Sequence, residues 1–236
     1  ALNLSYGGED GGGEYHSIYD TYDHYSRFKD PDFLYGVTLA QTVGRYVLRL
    51  AGAEILPFDY TGLSSAVNEY AKQLIRMTDE MRQAALVEEQ LHNSNMYTLA
   101  ADPTEKILAP ELKGAVPHLD FSPLQNALTA LQQCADGSKK IFSDISSHSD
   151  ARRLNAVLYQ AEQQLLLPKG LPGRSWYKHA IYAPGLYTGY GVKTLPGIRE
   201  SIEERQWEKA QEEIHAVAEA INRLTAHLQP VNQGKK

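Results

Sequence analysis

Cysteine is nearly absent: Cys134 is the only one in 236 residues, so an intramolecular disulfide is excluded. Cys134 falls in an apolar helical pattern and reads as a small buried hydrophobe. No apolar run approaches the ~20 residues that a helical membrane span needs, and Leu165-Leu166-Leu167 is cut short by Pro168. No basic block exists, and the formal net charge of −6 argues against a nucleic-acid partner. A nucleophile elbow, a phosphate-binding loop, a dinucleotide fingerprint and an H-E-x-x-H helix are all missing. Acidic pairs such as Glu203-Glu204 and Glu212-Glu213 read as solvated helix faces, so no general base stands out.

What is present is a mainly helical pattern. Ala1 to Tyr6 alternates apolar and polar like a strand, yet no sheet exists for it to join. The chain is therefore expected to be the C-terminal part of a larger protein, with any targeting signal in the missing part. Gly7 to Glu14 holds five glycines in eight residues and reads as a loop. Asp30-Pro31 signals the N-cap and first turn of a helix carrying Phe33, Val37, Ala40, Val43, Val47 and Leu50 and ending at Gly52. Ile55 to Phe58 reads as a connector.

A second helix is expected from about Thr61 into the nineties, with Leu63, Val67, Tyr70, Leu74, Met77, Met81, Ala85 and Leu91 on one stripe. Pro103, Pro110 and Pro117 mark a surface excursion. Ser122-Pro123 opens a third long helix, with Leu124, Leu128, Leu131, Ala135, Phe142 and Ile145 apolar. The fourth starts near Ser149-Asp150 and carries Leu154, Val157, Leu158, Ala161 and Leu165. A short helix begins at Pro196-Gly197. The last long helix shows Trp207, Ala210, Ile214, Val217, Ile221, Leu224 and Leu228 before Pro230. Amphipathic helices of this kind bury their stripes against one another, so a helical bundle is expected over residues 57–236, with residues 1–56 belonging to something else.

Two segments are candidates for chemistry. In Tyr15-His16-Ser17-Ile18-Tyr19-Asp20, a histidine follows a glycine loop that could carry it into a metal site built elsewhere. Three readings stay open on spacing alone: surface polar residues, a single ligand at His16, or a three-ligand site from His16, Asp20 and His24 on one helical face. The second candidate is the loop from Leu171 to Leu195, dense in aromatic and basic residues. It either binds a ligand or uses its aromatic rings to pin itself to the bundle.

Tyr15-His16-Ser17-Ile18-Tyr19-Asp20, Phe28-Lys29-Asp30-Pro31-Asp32-Phe33 and Leu39-Ala40-Gln41-Thr42-Val43-Gly44 together resemble the end of the peptidase domain in the glutamate carboxypeptidase II family. That family includes the N-acetylated-alpha-linked acidic dipeptidases and a non-enzymatic relative, the transferrin receptor. The run from Leu171 to Pro184, LPGRSWYKHAIYAP, with Leu195-Pro196-Gly197-Ile198, resembles the family's helical dimerisation domain. The resemblance covers nearly the whole chain and is weakest between Met96 and Asp120. It implies a mainly α fold: a transferrin receptor-like helical bundle preceded by a short remnant of an α/β zinc-peptidase domain.

The resemblance also implies that His16 ligates one of two zinc ions in the intact enzyme and that Tyr15 faces substrate. The remaining zinc ligands and the general base precede this chain. No catalytic residue lies within it, so the chain alone is expected to be inactive and not to bind zinc. The aromatic loop is expected to reach the substrate pocket, where the family's Lys-Tyr pair reads here as Gly189-Tyr190. The tyrosine is kept and the cation that would meet an acidic side chain is lost, with Lys193 out of register. A homodimer through the bundle is implied, as is an extracellular, periplasmic or membrane-anchored location. The competing reading is a receptor-like or scaffold relative without peptidase activity.

Overall fold

The computed structural model describes residues 3–7, 13–102, 104, 109–142 and 148–232. It is mainly α-helical and divides at Pro57/Phe58 into two compact units. The helices are α1 (Tyr22–His24), α2 (Leu34–Ala51), α3 (Tyr60–Asn93), α4 (Met96–Leu99), α5 (Ser122–Phe142), α6 (His148–Ala161), α7 (Pro196–Glu203) and α8 (Trp207–Asn232). The strands β1 (Tyr182–Pro184) and β2 (Val192–Thr194) form one antiparallel hairpin.

In the first unit, residues 3–7 form no strand, and residues 1 and 2 lie outside the described part. Strand pairing needs a second chain segment, and among the described residues of this unit none is a strand. Helix α2 begins later than its Asp-Pro signal suggests. Asp30 sits three residues before Phe33, the actual N-cap residue, whose backbone is left-handed at φ 55°. Its carboxylate nevertheless serves the helix start. Oδ1 accepts from the Tyr35 amide at 3.2 Å, and Oδ2 accepts from the Gly36 amide at 3.0 Å and the Tyr25 hydroxyl at 3.1 Å. Burial pushes the Asp30 carboxyl up, but the amides of Gly36 and Tyr35 outweigh it and hold the group below the usual carboxylate range. No residue of α2 is buried, although Leu34, Tyr35, Val37, Tyr46, Val47 and Leu48 are apolar or aromatic.

The second unit holds the core. Every one of the largest fully buried side chains, from Leu74 to Leu224, lies there. Each is worth roughly 1.5–3 kcal/mol on leaving water. Helix α8 is central: it packs against α5, α6, α7 and the 3-10 turn Glu162–Leu165, while α3 packs on α5. That position explains why α8 buries more than one stripe, with Ala218, Ala220 and Thr225 inside beside Ile214, Val217, Ile221 and Leu224. It also runs to Asn232, carrying Pro230 in its last turn rather than stopping before it. Cys134 is buried at the α5–α8 contact, its thiol 3.7 Å from the Thr225 carbonyl oxygen.

Helix α3 starts at the Asp59 cap, whose carboxylate accepts from the Thr61 amide at 2.9 Å. Its buried face is Tyr60, Ser64, Val67, Ala71, Leu74 and Thr78. The expected stripe continued through Met81, Ala85 and Leu91, but burial stops at Thr78. The proline-marked segment before α5 is more than a surface excursion. Val116 and Phe121 are buried, and Arg82 donates to the carbonyl oxygens of Val116 (3.2 Å) and Pro117 (3.1 Å). The side chain of Phe142, and Ile145 altogether, lie outside the described residues.

Candidate functional site

The aromatic loop from Leu171 to Leu195, with the residues from Leu166 that lead into it, is fixed by its backbone before any side chain acts. Leu167 N–H donates to the Lys178 carbonyl at 2.7 Å, Leu171 N–H to Tyr177 at 2.8 Å and Tyr177 N–H to Arg174 at 3.0 Å. Gly170 makes this turn possible: its φ is +70°, and a Cβ there would stand 2.2 Å from the Ser175 carbonyl oxygen. Beyond the turn the chain forms the β1–β2 hairpin, closed by Leu195 N–H donating to Ile181 at 2.8 Å.

Arg174 is the anchor. It is 4% exposed, and its Nη2 donates to both carboxylate oxygens of Glu200 on α7, at 2.8 and 2.7 Å. Its Nη1 donates to the Pro184 carbonyl oxygen. Glu200 Oε1 in turn accepts from the Leu186 amide at 2.9 Å. One buried ion pair therefore holds the loop, the end of β1 and the start of the hairpin turn together. Charge-assisted hydrogen bonds in such an environment are the strong ones. The pair joins residues 26 positions apart, and no local pattern marks it.

The tip carries the exposed aromatic residues. Tyr190 is 100% exposed and Tyr187 84%. The Tyr187 hydroxyl donates to Glu204 at 2.9 Å, which raises its pKa through that bond. Lys193 Nζ donates to both oxygens of Glu203 at 2.7 and 2.8 Å. Glu203 and Glu204 are thus tied to the hairpin rather than merely solvated. Gly189 leaves open space where a side chain would stand.

His179, deeper in the loop, accepts at Nδ1 from the Ile181 and Tyr182 amides at 3.2 and 3.3 Å. Its hydrogen therefore sits on Nε2, and burial lowers its pKa against the opposing pull of Glu162.

Glu213 departs furthest from the solvated reading. Its Oε2 is buried without a hydrogen-bond partner among the described residues. Burial raises its pKa, with Lys209 lowering it and Glu212 raising it. A carboxyl raised on folding costs stability as pH climbs from its unfolded value through the folded one. We expect Glu213→Gln to stabilise the protein at neutral pH by on the order of 1 kcal/mol and to have a smaller effect in acid. Urea midpoints at both pH values check this, and an equal effect at the two would refute the role of ionisation.

In the first unit, Tyr15 and His16 stack with ring centroids 3.8 Å apart, both exposed, and His16 has a left-handed backbone at φ 60°. His16 and Asp20 precede α1 whereas His24 ends it, so the three do not share a helical face. Among the described residues no three His, Cys, Asp or Glu side chains are grouped to hold a metal. A zinc site takes three or four ligands. The described residues alone do not fit the ion. No described helix is long and apolar enough to cross a membrane.

Comparison with known proteins adds a family. Residues 119–229 match the transferrin receptor-like dimerisation domain. The chain is 30% identical over 221 residues to the probable glutamate carboxypeptidase LAMP1 of Arabidopsis thaliana, covering 91% of this chain and 27% of that protein. It is 24% identical over 225 residues to the aminopeptidase NAALADL1 of Rattus norvegicus, covering 92% and 26%. A segment of 79 residues is 34% identical to an inactive zinc metalloprotease of Schizosaccharomyces pombe, covering 34% and 10%. The chain thus spans about a quarter of the length of the carboxypeptidase and aminopeptidase relatives. With its helical bundle and the LPGRSWYKHAIYAP loop in place, the chain belongs to the glutamate carboxypeptidase II-like peptidase family and carries that family's transferrin receptor-like dimerisation domain.

Proposed function

We propose that this chain supplies the dimerisation module and part of the substrate pocket of a zinc-dependent carboxypeptidase or dipeptidase-like protein. Residues 1–56 are the end of its peptidase domain, and residues 57–236 are the helical domain that pairs two copies. The observation that carries the reading is Tyr190. It stands fully exposed on a hairpin whose base is locked by the buried Arg174–Glu200 pair. The anchored base places the tip of the hairpin before any ligand arrives, so the ordering left for binding is mainly that of the Tyr190 side chain itself.

Tyr15 lies beside substrate in the same protein, and His16 contributes one zinc ligand. Its partner ligands come from outside this chain, which by itself is inactive. A zinc ion held by His16 together with such outside ligands would supply Lewis acidity for peptide hydrolysis. At the pocket wall, Gly189 brings no cation, and Lys193 is already neutralised by Glu203. The substrate residue that meets this wall is therefore neutral rather than acidic.

The test uses the full-length protein and a pair of peptides ending in glutamate or in an uncharged residue. Tyr190→Ala should lower kcat/KM for the uncharged peptide, and Gly189→Lys should raise it for the glutamate peptide by roughly 10–100-fold, the worth of a hydrogen bond to a charged group. Unchanged kinetics in both variants would remove the loop from the substrate pocket. The inactive fungal relative motivates a second reading, a scaffold that kept the fold without the chemistry. Full-length protein that hydrolyses neither peptide would favour it.

A further inference from the structure

Two amides at the start of β1 end on a side chain rather than on β2. Leu195 N–H donates to the Ile181 carbonyl oxygen and Gly185 N–H to that of Gly191, so the odd-numbered residues of this segment face its partner strand. Successive residues face opposite ways, and the Tyr182 N–H therefore points away from β2. It donates to His179 Nδ1 at 3.3 Å, and the Ile181 N–H donates to the same atom at 3.2 Å. Ile181 is fully buried, which leaves its amide no water to turn to.

An imidazole nitrogen accepts only while it carries no hydrogen. The hold on both amides thus exists in one protonation state of the ring and not in the other. The second nitrogen, Nε2, is buried without a hydrogen-bond partner among the described residues and stands 3.6 Å from Glu162 Oε1. That is too far for a hydrogen bond and near enough to attract a charged ring. Tyr182 stacks on the imidazole with ring centroids 5.9 Å apart, and the Tyr70 hydroxyl of α3 lies 3.4 Å from that of Tyr182. Arg223 of α8 directs its donors at the Gln164 and Leu166 carbonyl oxygens, and neighbouring Lys178 is exposed. Glu162 is the group that pulls the ring toward its charged form, against burial.

We propose that His179 is an acid-sensitive positioning residue: neutral, it clasps the start of β1, and charged, it leaves the two amides for Glu162 and loosens the hairpin that presents Tyr190. A protonated Nδ1 is a donor facing two donors, so the clasp does not survive the proton. Burial holds the pKa of the ring below its ordinary 6.5, so the unfolded chain takes up the proton first. The stabilisation is therefore full above about pH 6.5 and is lost as pH falls from there through the folded value. The effect on substrate rests on the reading of the hairpin as a pocket wall, whereas the clasp itself does not.

Amide hydrogen exchange of this chain by NMR, expressed as protection factors on either side of about pH 6.5, tests it. Protection at Ile181 and Tyr182 should fall roughly tenfold on acidification, the worth of a hydrogen bond. Leu171 and Tyr177, whose amides end on backbone carbonyls, should keep theirs. His179→Asn offers an acceptor oxygen that does not titrate, so protection should stay level across the same range. His179→Leu should lose it at every pH. In the full-length protein, the acid-side fall in kcat/KM for the uncharged peptide should be smaller in His179→Asn than in the wild type. Should the variants fail to fold, the ring nitrogen chemical shifts of the wild type decide, and a hydrogen on Nδ1 at neutral pH would overturn the clasp. So would protection at Ile181 and Tyr182 that tracks Leu171 and Tyr177 at every pH. If exchange behaves as expected while Tyr190→Ala leaves the kinetics unchanged, the clasp stands and the pocket-wall reading falls.

Discussion

Arg174→Met should destabilise the second unit by about 3–5 kcal/mol, because removing one partner leaves Glu200 as an uncompensated buried charge. The geometry makes the loss more than one ion pair. Pro184 loses the donor to its carbonyl oxygen, and the Leu186 amide is left on a carboxylate that nothing neutralises. The damage is thus directed at the hairpin that presents Tyr190. Glu200→Gln should cost less, since the amide oxygen can still accept from Arg174 and from Leu186, at the price of an ionic bond. The double variant Arg174→Met/Glu200→Leu should recover part of the stability lost in Arg174→Met, because no unpaired charge remains, while the Pro184 carbonyl oxygen and the Leu186 amide still lack their partners. Urea unfolding measures the three values. Hydrogen exchange at the β1–β2 amides should rise most in the single variants. A loss under about 1 kcal/mol in Arg174→Met would place that pair with weak surface bridges instead.

That pair also marks the limit of what could be read beforehand. The stripes of α5, α6 and α8 were legible because helical periodicity is a local signal. Leu124, Leu128 and Leu131 recur at three- and four-residue spacing and are buried together. Phe121 and Val116 were hidden because a proline-marked segment looks like surface, while two carbonyl oxygens accepting from Arg82 hold it against α3. In α3 the error ran the other way. Met81, Ala85 and Leu91 continue the apolar pattern past Thr78, where the segment around Val116 covers the helix only in part: Met81 and Ala85 are half-buried and Leu91 is exposed. Periodicity reports which face could be buried, not how far a partner extends. Glu203, Glu204 and Glu213 looked alike as acidic surface residues, and only the packed structure separates the two that hold the hairpin from the one left without a partner. Asp30 has the chemistry of a cap, accepting from the Tyr35 and Gly36 amides, but stands three residues before the N-cap position at Phe33.

His16 was legible only through its motif. Its surroundings offer no further sign, for it is an exposed ring stacked on Tyr15 with no group of ligands around it. In the full-length protein, His16→Ala should nonetheless have the largest functional effect of any substitution considered. An outer-shell partner of a zinc ligand is worth roughly 10–100-fold in metal affinity or activity, and loss of a direct ligand should exceed that. Metal content by mass spectrometry should fall by one zinc per chain, with peptide hydrolysis falling alongside. His24→Ala is the matched control: the same residue type eight positions away, at the end of α1, should leave both unchanged. The present chain supplies the complementary arm. A ligand that binds only the folded state raises stability in proportion to its affinity, so zinc should leave the melting temperature of residues 1–236 where it was, with or without His16. Full zinc content and activity in the full-length His16→Ala variant would remove His16 from the metal site. A zinc-dependent rise in the melting temperature of this chain alone, lost in its His16→Ala variant, would instead mean that the chain assembles a site of its own.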